Sequence, residues 1–426
     1  MKKLDFLSTL FVGIDVSSKS NVICALDFSA NKLLEFTVPN NQPGANELSL
    51  KIRTLMAGSK LKTVVFALES TSFYGIHIAN FLSSDELMLA FDPYVYCLNP
   101  KMIANYRKSF IGLDKTDPKD AFIIADFARV GRVTVAPWRG SQFLALQRLT
   151  RHRLHLVDCI TREKTYMVSN IFLKFSELSI LKEEDHPFAS NHTATAAAIL
   201  TEMLSPEELV AMSIEDLIAF IGKVSKNRFA DPKKVAFILN QAARNSYRLD
   251  KCLYEPLTIS IASSFNCISA YQAEIKVIEN AIEKVIKGLN TTEYQCLSSI
   301  PGIGPVFASG ILSEIGSVSA FHSQDALAKY AGLVWRQNQS GDFRADDTRM
   351  SKAGNKYLRY YLIEAANSVK NNLPEYNEFY RKKYGEVKTH QHKRALALTS
   401  RKLIRLIFGL LAKDQLYSAK RVPPTS

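Results

Sequence analysis

The sequence predicts an α/β domain at the N-terminus followed by a long, mostly helical remainder. Strand-like runs crowd the first hundred residues, whereas from about residue 141 apolar residues recur at helical spacing. Two capping-box patterns, SPEEL and SIEDL, mark helix starts between 178 and 256, where no strand signal competes.

Taken in order, FVGIDV (11–16), NVICALDF (21–28) and KLLEFTV (32–38) are β-rich runs separated by short polar turns, which suits an antiparallel meander. TVVFALE (63–69), LMLAFD (87–92) and VYCLNP (95–100) are short apolar runs of the kind buried in a mixed or parallel sheet. The heptapeptide KTDPKDA (115–121) then opens a helix, with Asp117 suited to the cap, Pro118 to the first helical position and Asp120 to the first turn. Leu149, Leu156, Ile160, Met167 and Ile171 mark one long helix. Phe265, Ile268, Ile275, Ile278, Ile282, Val285 and Leu289 mark another, near a heptad with one phase slip. Core packing and an intermolecular coiled coil explain these two stripes equally well. IPGIGPVFASG (300–310) reads as a tight turn into a helix. Gly302 and Gly304 would let backbone N–H groups approach a phosphate, and the plainer reading is an interhelix turn. The predicted domains are 1–138, 139–290 with a helical insert at 178–256, and 291–426.

With 426 residues and 47% hydrophobic content the chain can bury two or three cores. Its formal charge of +13 suits a polyanionic partner. The charge is zoned: 14 Lys/Arg face 6 Asp/Glu over 101–176 and 19 face 8 over 336–426, but 9 face 12 over 177–257. That zoning fits nucleic acid lying across particular surfaces. The six cysteines form no CxxC pair, so neither a disulfide framework nor a zinc ribbon is indicated, and a reducing cytoplasm is expected. The N-terminus lacks a small-residue cleavage site, and no apolar run is long enough to predict a membrane span.

Asp15 interrupts a run that otherwise reads as a buried strand, and Glu69 repeats the anomaly at the end of TVVFALE. A buried carboxylate is costly unless it meets a cation. Two strand-borne acids with Asp117 and Asp120, which share a helix face at i and i+3, make a plausible metal set. Cutting a phosphodiester by two-metal catalysis requires hard oxygen ligands of this kind. Asp114, before the helix, and Asp126, two turns further in, are nearby acids to which no role is given.

Strands in this order with acids at these places resemble the ribonuclease-H-like fold and its RuvC-like nucleases. Four blocks in sequence, GIDVSSKSNVICALD, ALESTSFYGIHIANFL, NPKMIANYRKSFIGLDKTDPKDAFIIADFARVGR and AGLVWRQNQSGDFRADDTRMSKAGNKYLRYYLIEAA, are similar to the DEDD-type transposases of the insertion-sequence-110 family. The resemblance implies a RuvC-like domain with Asp15, Glu69, Asp117 and Asp120 as its acidic tetrad, using Mg²⁺ or Mn²⁺ in its place. It places a serine that attacks DNA, and forms a covalent phosphoserine, on Ser340 in QNQSGDF, although the residues alone read as an ordinary Ser-Gly turn. Ser351 is the rival, better explained as a loop residue. Arg336, Arg344, Arg349, Lys352 and Arg359 are candidates to grip phosphates, and the basic stretch 381–405 to rest on nucleic-acid backbone. The resemblance further implies element-end and target DNA, an element-encoded bridge RNA that pairs with both, a dimer or tetramer, and action at the bacterial nucleoid. Competing readings are a RuvC-like endonuclease using only the four acids, an actin-like sugar kinase or ATPase suggested by GIDVSS, and a noncatalytic nucleic-acid scaffold.

Overall fold

The computed structural model describes residues 4–70, 73–110, 116–131, 133, 137–182, 186–188, 193–202, 205–227, 229–335, 339–340, 343–344 and 350–418, with only the backbone at 194, 224, 339–340 and 343–344. The N-terminal meander forms as the β-rich runs and their short polar turns predict: β1 (Thr9–Val16), β2 (Ser20–Leu26) and β3 (Lys32–Pro39) pair antiparallel. After α1 (Gln42–Ala57), β4 (Thr63–Glu69) adds parallel to β1. After α2 (Tyr74–Ser84), β5 (Pro93–Leu98) adds parallel to β4, giving the order β3-β2-β1-β4-β5. This mixed sheet is the arrangement expected of a RuvC-like domain.

LMLAFD is not a strand. Leu89–Phe91 form a single 3-10 turn, because Asp85 draws the chain into turns: its carboxylate accepts from Leu87 N–H at 3.1 Å and its carbonyl from Met88 N–H at 2.9 Å. Met88 is buried, but Leu87 and Leu89 stay exposed, so apolar composition here reflects one anchoring side chain rather than a buried run.

The sheet is covered on both faces, as residue alternation requires. Leu10, Val12, Ile14, Val64, Phe66 and Leu68 point to one face, where Leu48, Ile52, Ile78 and Leu82 of α1 and α2 meet them. Phe11, Val65 and Ala67 point to the other. There they meet α3 (Pro100–Arg107) through Ile103, and α4 (Asp117–Arg129) through Ile123, Ile124 and Phe127. Helix α4 starts one residue earlier than the capping signals suggest: Thr116 holds the cap position without a side-chain bond, and Asp117 is the first helical residue.

A long helix, α5 (Ser141–Lys174), follows, then α6 (Ser176–Ile180), α7 (Ala194–Glu202), α8 (Pro206–Ala211), α9 (Ile214–Ser225), α10 (Pro232–Asn245) and a second long helix, α11 (Lys251–Leu289). Both predicted caps form: Ser205 Oγ accepts from Glu208 N–H at 3.3 Å, and Ser213 Oγ from Asp216 N–H at 3.1 Å. The last third contains α12 (Thr292–Ser298), α13 (Pro305–Ile315), α14 (Gln324–Ala331), two-residue strands β6 (Gln339–Ser340) and β7 (Phe343–Arg344), then α15 (Lys356–Asn372), α16 (Pro374–Gly385) and α17 (Gln391–Lys413).

These elements make two compact units, one of residues 1–150 with 282–426, the other of 151–281. In the smaller unit, Met167, Ile171, Ile199, Leu217, Leu239, Ile261 and Ile268 share one core. Arg153 donates to Glu279 at 2.8 Å, Glu163 accepts from Ser264 at 3.2 Å, and Lys174 donates to Thr258 at 2.6 Å. Partners on α11 descend as those on α5 ascend, so the two long helices pair antiparallel within one chain.

Candidate functional site

Each predicted acid takes its position from the strand or helix that carries it. Asp15 lies one step beyond Ile14 on β1 and Glu69 one step beyond Leu68 on β4, and Ile14 and Leu68 are register partners. The two carboxyl-bearing residues therefore stand side by side at the C-terminal ends of adjacent parallel strands, about 5 Å apart along the sheet. Both are half-buried. By alternation they share a face with Gly13, which is the face α4 covers.

Gly13 sets how close that helix comes. A Cβ there would meet the Ala121 carbonyl oxygen at 2.1 Å and the Ala125 nitrogen at 2.4 Å, so α4 lies directly on the backbone of β1. The helix runs against the strand: Phe11, early in β1, packs near Phe127, while Val22, the register partner of Asp15, packs with Ala121. The N-terminal turn of α4, carrying Asp117 and Asp120, is thereby delivered to the end of β1 where Asp15 stands. Gly13 was not among the predicted site residues. Its signal is a glycine inside an apolar strand, which marks close backbone approach.

The two helix-borne acids are not equivalent. Asp120 is buried, and its carboxylate pairs with the guanidinium of Arg107 on α3. Asp117 is exposed at the helix tip. Asp126 is buried and held by Tyr106 Oη at 2.6 Å and Arg129 Nε at 2.7 Å, which explains its presence as scaffold. Asp114 lies outside the described residues. Among the described residues no three His, Cys, Asp or Glu side chains stand close enough to hold an ion as they are. The donor chemistry nevertheless fits a hard divalent cation, on the condition that Asp120 exchanges the Arg107 guanidinium for the ion.

In the C-terminal part, Ser340 pairs with Phe343 in the β6–β7 hairpin, and Arg344 pairs with Gln339. Arg336 and Arg349 lie outside the described residues. Ser351 carries loop structure, since its N–H donates to the Val334 carbonyl at 2.8 Å and its hydroxyl accepts from Ala353 N–H at 3.4 Å. Arg359 also holds the loop together. Its Nη1 donates to the carbonyls of Ala331 at 3.1 Å and Lys352 at 2.9 Å, and burial pushes its pKa down. Lys352 is exposed with φ of 49°. Gly302, at φ 97°, has no room for a Cβ, which would meet Val369 N at 2.9 Å on α15, whereas the space around Gly304 at the start of α13 is open. The turn thus packs against α15 at Gly302. The basic stretch after 381 is a packed helical hairpin in which Arg401 pairs with Asp325, Lys402 with Glu375, and Arg394 with Glu386. His392 Nδ1 meets Tyr380 Oη at 2.6 Å.

The comparisons with known proteins fall on the same elements. Residues 12–173 match a DEDD transposase model, and residues 294–381 match the model described as Transposase IS116/IS110/IS902 family. The chain belongs to the insertion-sequence-110 family of transposases. This transposase is 25% identical over 96% of its length to an insertion element IS900 protein of Mycobacterium paratuberculosis, covering 97% of that protein. It is 23% identical to an insertion element IS110 protein of Streptomyces coelicolor, over 96% of each chain. It is also 27% identical, over 43% of its length and 58% of the relative's, to a pilin gene-inverting protein of Moraxella lacunata. The transposase is therefore an enzyme acting on DNA, and its DEDD domain implies use of a divalent cation. Among the described residues it has no helix long and apolar enough to cross a membrane.

Proposed function

We propose that this transposase cuts and rejoins the strands of its insertion sequence with Mg²⁺ held by Asp15, Glu69, Asp117 and Asp120, through a phosphoserine at Ser340, guided by a bridge RNA. The observation that carries the reading is the seating of α4 on Gly13, which brings the helix-borne acids to the strand ends bearing Asp15 and Glu69. When bound, the ions would lower the charge on the scissile phosphate and favour the deprotonated nucleophile. The residues supply the rest. Ser340 Oγ gives up its proton and attacks phosphorus, the P–O bond of the strand breaks, and the strand leaves as a hydroxyl. A second strand's hydroxyl then attacks the phosphoserine and frees the serine. One phosphodiester is exchanged for another, so no nucleotide cofactor is consumed.

The name of the pilin gene-inverting relative supports joining as well as cutting, because an inversion requires both. Lys352, Arg344, Arg336 and Arg349 would grip the phosphates around Ser340, with Arg359 holding the loop that carries Lys352. Two or more copies of the chain would supply the paired sites that two DNA partners need. Sequence choice would rest on base pairing with the RNA, while the protein reads backbone and shape.

The test is a denaturing gel for a protein–DNA adduct, using labelled element ends, Mg²⁺ and the candidate RNA. Wild type and Ser351→Ala should give the adduct and Ser340→Ala should not. Loss with Ser351→Ala alone would move the nucleophile, and cleavage by all three without an adduct would favour a plain nuclease.

A further inference from the structure

Beside the acids, α2 and α5 form a ledge whose surface the proposed chemistry does not use. Ser141 donates to Asn80 at 2.8 Å, and the Arg148 guanidinium lies 5.0 Å from the centre of the Phe73 ring. Advancing seven residues on α5 retreats seven on α2, so the two helices lie antiparallel and side by side. The end bearing Phe73 and Arg148 is the end near the acids, because Phe73 follows Glu69 by four positions. The backbone fixes this corner: the Asn40 side chain donates to the Ser17 carbonyl at 2.8 Å and the Tyr74 carbonyl at 3.3 Å, tying the turn after β1 to the start of α2.

Phe73 is 69% exposed although it is a large aromatic, and Arg148 is exposed beside it. A phenyl ring left in water costs solvation free energy that burial under another apolar element would remove. Here it is offered with the Arg148 guanidinium over the ring, and Arg148 belongs to the basic zone 101–176. That combination matches one chemistry: a nucleobase, flat and apolar on its face, joined to a phosphate. A paired base has its faces covered by its neighbours, so the ledge suits a base from an unpaired strand.

We propose that Phe73 and Arg148 form a stacking platform for an unpaired nucleobase of the DNA strand led to the acids, Phe73 taking the base and Arg148 the adjoining phosphate. The proposal rests on the acids being where the strand is cut. It is tested by binding alone, in chelator, so that its failure leaves the cleavage reading intact. The full-length transposase is titrated with a labelled mixed-sequence single-stranded oligodeoxynucleotide, the same strand annealed to its complement, and the RNA of the same sequence.

Phe73→Ala should weaken single-stranded DNA binding about tenfold and leave duplex binding within about twofold, and Phe73→Trp should restore it. Arg148→Gln should reduce the salt dependence of single-strand binding by about one phosphate contact. Equal losses on single strand and duplex, or no loss in Phe73→Ala with an unchanged melting temperature, would reduce the pair to a clasp between two helices and overturn the platform. A loss confined to RNA would overturn the DNA assignment.

Discussion

At residue 13 a hydrogen in place of a side chain decides whether the acids can meet. With Ala121 and Ala125 on its Cβ position, Gly13→Ala should cost about 1–3 kcal/mol by overpacking, read from denaturant unfolding. It should also lower cleavage even where the protein stays folded, since α4 would lift and carry Asp117 and Asp120 from the strand ends. The acids themselves separate by role. Asp120→Asn should abolish strand cleavage on a gel and leave DNA binding within about threefold. Asp126→Asn should do the reverse, lowering stability by about 1–3 kcal/mol through its bonds to Tyr106 and Arg129 while cleavage persists. Cleavage retained in Asp120→Asn would remove the metal-site assignment.

Among the elements, those that formed where the residues predicted them are those whose local signals agree. The three strands of the meander are β-rich runs parted by short polar turns, TVVFALE is β4 to the residue, and Ser205 and Ser213 cap their helices. Ser213→Ala should cost about 1 kcal/mol by losing the bond from Asp216 N–H, measured by thermal or denaturant unfolding. Elements misread from sequence are those where a side chain outcompetes the apolar pattern, as Asp85 does before Leu89. The basic stretch after 381 has a second role that its composition does not show. Composition marks it as a surface for polyanions, and folding also places Leu403, Ile404 and Ile407 in a core and pairs Arg394 with Glu386, Arg401 with Asp325 and Lys402 with Glu375.

For the molecule as a whole, the division into two units with separate cores predicts two transitions in scanning calorimetry, one for each core. Lys174 gives the smaller unit a signature. It is fully buried, donates to the Leu200 carbonyl and Thr258 hydroxyl at 2.6 Å each, and burial lowers its pKa from 10.5 to about 8, against a smaller opposing pull from Glu208. With the folded pKa below the unfolded one, the unfolded state binds more protons between about pH 8 and 10.5, so stability rises with pH there. Below that window the charged lysine costs the unit on the order of 3 kcal/mol at most. The transition of the smaller unit should move up relative to that of Lys174→Met as pH rises through this range, and the other should not respond to the substitution. Equal responses of both transitions would mean that the units melt as one.

The sequence by itself determined the five strands of the sheet, though it added LMLAFD to them, the acids at their ends, the helix that begins at KTDPKDA and the family, because β-rich composition, turn chemistry and four ordered motifs are local properties of the chain. Only the tertiary structure decided which acids share a face, that Gly13 sets the distance between helix and sheet, that Arg107 and not a neighbour in sequence holds Asp120, and that Arg359 supports a loop. Those outcomes depend on register and on the approach of distant segments. A residue's partners across the fold are fixed by packing the whole chain, and no local pattern carries them.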